Sequence, residues 1–122
     1  MTTVDLTDTA FEQTLASNDI VLLDFWASWC GPCKTFAPTD EAVSDDHPDV
    51  VFGKVDTEMQ EQLAAKFEIR SIPTVMAFRE QMLVYNQPGV LPEVALRDLI
   101  AQIKGLDMDE VRQSITNESA GA

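Results

Sequence analysis

Apolar positions in this chain come in short blocks that switch between strand and helix periods. Val4 to Leu6 leaves room for a short strand only. Thr7 is placed to cap a helix, with Leu6 before it and Phe11 after it as a hydrophobic staple. Phe11 and Leu15 then share one helical face. The run Ile20-Val21-Leu22-Leu23-Asp24-Phe25-Trp26-Ala27 is apolar on both alternating faces, as in a strand buried within a parallel or mixed sheet. Asp24 alone breaks it. A helix is expected from Gly31 to Asp46, with Pro32 in the first turn, where its missing N–H costs little. Pro38 lies inside that helix and should bend it. Val50 to Asp56 reads as the next strand. Thr57 and Gln60 have capping-box spacing for a helix ending near Phe67.

Pro73 to Arg79 and Met82 to Asn86 read as a hairpin, and Pro88-Gly89 as a break. Pro92 opens a helix with the apolar stripe Leu96, Leu99, Ile100 and Ile103, and Gly105 is placed to stop it. Asp107 and Glu110 can cap a further short helix carrying Val111 and Ile115. Residues 117–122 are small and polar, and loose structure is expected there. The order β-α-β-α-β-α-β-β-α predicts an α/β fold, a central mixed five-stranded sheet flanked by helices on both faces. Residues 1–105 form the expected domain, and residues 106–122 an extension, either a short helix or a tail.

Composition narrows the function. The chain has 122 residues, and its 45% apolar content suffices for one core. Against 21 Asp and Glu stand only 8 Lys and Arg, a net charge of −13. Nucleic-acid and anionic-membrane partners need clustered cations, so neither is expected. No apolar run reaches the roughly 20 residues of a membrane span. The first residues carry no basic segment followed by an apolar one, so a cytoplasmic protein is expected. The acidity is read as a solvated surface that aids solubility.

Cys30 and Cys33 hold the chemistry. They lie three residues apart at a strand-to-helix junction, close enough for a disulfide to open and close. The helix N-terminus favours a thiolate on Cys30, while Cys33 lies one turn deeper. Cys30 is thus expected to attack a partner's disulfide, and Cys33 to resolve the mixed disulfide that results. A structural zinc site would need four ligands, and the chain offers two Cys and one His, so no metal is expected. Two inert thiols are the other bland alternative, against which Gly31-Pro32 argues. Asp24 would cost several kcal/mol if buried, charged and alone. Lys54, on the next strand, is its expected partner. Asp24 is read as the proton acceptor for Cys33, the alternative being a wet edge created by strand curvature. Base rates alone make the Ile72–Pro73 bond trans.

The stretch DFWASWCGPCK, from Asp24 to Lys34, resembles the active-site signature of the thioredoxin family. Pro38, Asp56, Ile72-Pro73-Thr74 and Gly89 fall at matching spacings, so the likeness covers roughly residues 3 to 104. It implies the thioredoxin fold and a protein-disulfide reductase that maintains redox balance, with Cys30 the exposed nucleophile and Cys33 the resolving thiol. It also implies a cis Pro73, a substrate rim of Trp29, Gly31, Pro32, Ile72, Pro73 and Gly89, and Trp26 packed beneath the site. No cofactor is implied beyond the dithiol, NADPH acting indirectly through a thioredoxin reductase. Peroxiredoxins, ribonucleotide reductase and methionine sulfoxide reductases are the implied customers of a monomer. An oxidant or isomerase, and a binding subunit with idle cysteines, are the competing readings. The chain departs from the family's usual pattern in three places. Glu80-Gln81 replaces the usual Asn-Gly or Asp-Gly, so a longer or different turn is expected. Asn86-Gln87-Pro88 precedes Gly89, and an extension follows the last family helix.

Overall fold

A computed structural model describes residues 3–121, with side chains described as far as Ile115. The strands are β1 (Thr3–Asp5), β2 (Ile20–Trp26), β3 (Val50–Asp56), β4 (Thr74–Arg79) and β5 (Met82–Pro88). The helices are α1 (Phe11–Ser17), α2 (Gly31–Asp45), α3 (Glu61–Lys66), α4 (Glu93–Lys104) and α5 (Met108–Gly121). They build one five-stranded sheet in the order β1-β3-β2-β4-β5. The pairs β1/β3 and β2/β3 are parallel, and β2/β4 and β4/β5 antiparallel. This is the mixed sheet that the pattern of elements predicts.

The central position of β2 explains its unbroken apolar run, because both its faces are covered. Ile20 and Leu22 pack with Phe36 and Val43 of α2 and Leu96, Ile100 and Ile103 of α4. Val21, Leu23 and Phe25 pack on the opposite face with Phe11 of α1 and Leu63 of α3. On that second face Phe11, Phe67 and Phe78 meet edge to face, with ring centres 5.5–5.8 Å apart. Alternation sends Asp24 the other way, toward the α2 side.

Several local expectations need correction. Thr7 accepts the Ala10 N–H at 3.2 Å, but it caps a turn, and α1 starts only at Phe11. The capping box of Thr57 and Gln60 does not form. The Thr57 hydroxyl donates to the Trp26 carbonyl, and the Gln60 side chain accepts the Asp8 N–H. The Asp8 carboxylate instead accepts the Leu63 N–H at 2.8 Å, so α3 is capped from a distant segment. Gly105 ends α4 with φ −86°, a right-handed conformation rather than a left-handed stop. The hairpin between β4 and β5 is a tight two-residue turn: Arg79 pairs with Met82, and Glu80 and Gln81 have φ of 49° and 68°. The expected longer or different loop is therefore not formed. The main chain adopts the type I′ conformation without glycine, held by the Glu80 N–H donating to the Asp19 carbonyl.

Asp107 caps α5, accepting N–H groups from Asp109 and Glu110. Arg79 reaches across to the Ile103, Lys104 and Leu106 carbonyls, and Arg112 of α5 pairs with Glu80. Met108 is buried. The expectation of loose structure at 117–122 needs correction, because the backbone of α5 stays helical to Gly121, while Ala122 lies outside the described residues.

Candidate active site

Strand β2 delivers the chain to the site, and α2 begins there. Cys30 is the N-cap of α2, and its sulfur accepts the Cys33 N–H at 3.2 Å. A sulfur thus stands where a capping oxygen usually stands, facing the unpaired donors and the positive end of the helix. Cys30 and Cys33 are joined as a disulfide with Cα atoms 5.3 Å apart. In this oxidised form Cys30 is 4% exposed and Cys33 3%, so the expected contrast in exposure is absent. Their surroundings differ instead. Gly31 and Pro32 beside Cys30 are exposed, whereas Cys33 lies on the inward face of α2 with Phe36.

The neighbouring loops bring the rest together. The Ile72–Pro73 bond is cis, as the resemblance implies and against the base rate. The Ile72 carbonyl oxygen lies 3.7 Å from Cys30 Sγ. The buried Pro73 accepts the Gly89 N–H at 2.8 Å, and Gly89 has φ +105°, a conformation that favours glycine. Trp29 is 68% exposed, and its indole N–H donates to Glu58. Trp29, Thr57, Arg70, Ser71 and Ile72 line a shallow groove of about 170 Å³. Of these, Thr57, Arg70 and Ser71 carried no signal for this site in the sequence, because only the folded loops bring them beside Trp29.

Behind the disulfide, Asp24 is 2% exposed and pairs in register with Lys54 on β3. Lys54 Nζ lies 3.5 Å from Asp24 Oδ2, an ion pair too long for a strong hydrogen bond. Neither carboxylate oxygen has a hydrogen-bond donor. Burial pushes the Asp24 carboxyl up to about 6, against the lowering effect of Lys54. Lys54 Nζ also stands 5.4 Å from the centre of the half-buried Trp26 ring. His47 is turned to Lys104, so its ring nitrogen is not at the cysteines. Among the described residues no group of three or more His, Cys, Asp or Glu is arranged to hold a metal ion. Among them, too, no helix is long and apolar enough to cross a membrane.

The family model for thioredoxin matches residues 2–102. The chain belongs to the thioredoxin family. It is 56% identical over 120 residues to "Putative thioredoxin 2" of Streptomyces coelicolor, covering 98% of this chain and 90% of that one. It is 38% identical over 99 residues to thioredoxin of Haemophilus influenzae, covering 80% and 92%. A mutant thioredoxin from Halobacterium salinarum superposes with a TM-score of 0.76 at 32% identity, covering 81% and 88%. As a member of that family, the protein is a protein-disulfide oxidoreductase, and the Cys30–Cys33 pair is its redox-active centre. It acts on disulfide-containing targets by dithiol–disulfide exchange.

Proposed function

We propose that the protein works as a cytoplasmic electron donor, reducing target disulfides and being recharged by a thioredoxin reductase that draws on NADPH. The observation that carries the direction is the pairing of a capping Cys30 sulfur with Gly31-Pro32. No cationic side chain stands between the cysteines to stabilise the thiolate further. A dithiol oxidises its partners strongly when its own reduced form is over-stabilised, and here that extra stabilisation is missing. Peroxiredoxins, ribonucleotide reductase and methionine sulfoxide reductases are the target classes proposed. The dithiol needs no resident cofactor.

The Cys30 thiolate attacks one sulfur of the target disulfide. A Cys30–target bond forms, and the other target sulfur leaves as a thiolate. Cys33 then passes its proton to the Asp24 carboxylate, which holds Lys54 only in a long ion pair. The Cys33 sulfur bonds to Cys30 Sγ, the Cys30–target bond breaks, and the second target thiolate leaves. The target gains two electrons and the Cys30–Cys33 pair loses two. Trp29, Gly31, Pro32, Ile72, Pro73 and Gly89 form the proposed rim against which the target chain lies.

The test is a trapping experiment with reductase-coupled turnover. Cys33→Ser should hold targets covalently on Cys30, and Cys30→Ser should hold none. The wild-type protein should sustain NADPH oxidation with a thioredoxin reductase and a disulfide target. Failure to accept electrons from any thioredoxin reductase, with both cysteines reactive, contradicts the recharging route.

A further inference from the structure

Along α2 the inward positions Cys33, Phe36, Asp40 and Val43 follow helical spacing, and all four are buried. A thiol and two apolar groups suit that setting. Asp40 is a carboxyl only 3% exposed, two helical turns beyond Cys33. The mechanism above does not use it. Asp24 and Lys54 share the strand parity of Leu22 and Phe52, which pack against α2. The layer between the sheet and α2 therefore holds two carboxyl groups and one ammonium.

The charged groups that act on Asp40 are Asp24 from β2, Lys54 from β3 and Glu41 from its own helix. On β1, Asp5 stands in register with Lys54 but is exposed. On α4, Arg97 is already paired with Asp46 and Glu93. One half-buried cation does not neutralise two buried carboxylates, so the arrangement of lowest cost keeps a proton on one of them.

We infer that Asp40 is a positioning residue for the exchange reaction: it shares one proton with Asp24 and thereby sets how strongly Asp24 accepts the proton of Cys33. The inference rests on Asp24 being that acceptor. Burial, then the neighbouring Asp24 charge, pushes the Asp40 carboxyl up to about 7. An ionised Asp40 raises the proton affinity of Asp24, and a neutral residue in its place does not. Asp40 exchanges nothing with the sulfurs. The proton still passes from Cys33 to Asp24, and the displaced target thiolate takes one from water.

The experiment follows release of the second thiolate from an aromatic disulfide by stopped flow across neutral pH. The wild type is compared with Asp40→Asn, Asp40→Leu and Asp24→Asn. Carboxyl-carbon NMR titrates Asp24 directly in the wild type and in both Asp40 variants. The wild type should show two inflections, since the carboxyl groups titrate as a pair. Both Asp40 variants should show one, with the Asp24 midpoint lower by about one pH unit. Resolution above neutrality should slow by about threefold, as expected of a weaker acceptor. Asp40→Leu suits the apolar face and guards against an amide that packs badly. Two inflections persisting in Asp40→Leu, or an Asp24 midpoint that stays in place, would overturn the inference. An altered profile in Asp40→Asn alone would also overturn it, since packing rather than charge would then be the cause. If Asp24→Asn slows resolution and the Asp40 variants do not change the profile, only the role of Asp40 fails. If Asp24→Asn resolves at the wild-type rate, Asp24 is not the acceptor.

Discussion

Asp24 shows how burial turns an ordinary side chain into a proton acceptor. Its carboxyl is held at about 6, against 3.8 in the unfolded chain. The folded state therefore binds the proton more tightly. That contribution to stability is complete below about pH 4 and disappears as pH climbs through about 6, and through about 7 for Asp40. Asp24→Asn should flatten this decline and raise stability at pH 8 by on the order of 2–3 kcal/mol. Denaturant melts of the oxidised protein at pH 4 and pH 8 measure it, and equal slopes with pH in both proteins would contradict it. The same variant should slow resolution of the mixed disulfide near neutral pH by about 100-fold, the lower range of general-base effects. Asp24 was legible in the sequence because a charge stood in an apolar strand. Asp40 was harder to see, since a helix with one polar face hides an acid unless its inward positions are already known.

At the scale of elements, apolar period carried the sheet and the order of helices, and local chemistry carried the ends less well. Distant partners took over the ends of elements. Asp8 caps α3, a contact that spans more than fifty positions and leaves no local spacing to read. Two turns close without the glycine that would reveal them. After α3, Glu68 has φ 51°, and the Ile69 and Glu68 N–H groups return to the Ala64 and Ala65 carbonyls as in a Schellman motif. Gln81 in the hairpin has φ 68°. Glu68→Gly and Gln81→Gly should each stabilise the protein by about 1 kcal/mol, because glycine adopts these angles without a clashing Cβ. Thermal melts check this, and a destabilisation at either site would contradict it. Arg79 joins the sheet to the α4–α5 junction through three carbonyls. Arg79→Ala should loosen that junction, speeding amide hydrogen exchange in α5 more than in β2.

The whole molecule places a small reactive pair on an acidic body. A net charge of −13 repels acidic targets and attracts basic ones. Added salt should slow reduction of a basic disulfide peptide and leave a neutral one nearly unchanged, because screening acts on the encounter. Fold and redox centre were both legible because one stretch, DFWASWCGPCK, spans the central strand, the cysteines and the first helical turn. The groove beside Trp29 was less so, being assembled from separate loops. The central claim is that the Cys30–Cys33 pair donates electrons. Its most direct test is the reduction potential of that pair in redox buffer, read by the fluorescence of Trp26 and Trp29. Thioredoxin has a potential of about −270 mV, and a result close to it is predicted. A value between about −180 and −120 mV, the range of isomerases and oxidants, would contradict the account.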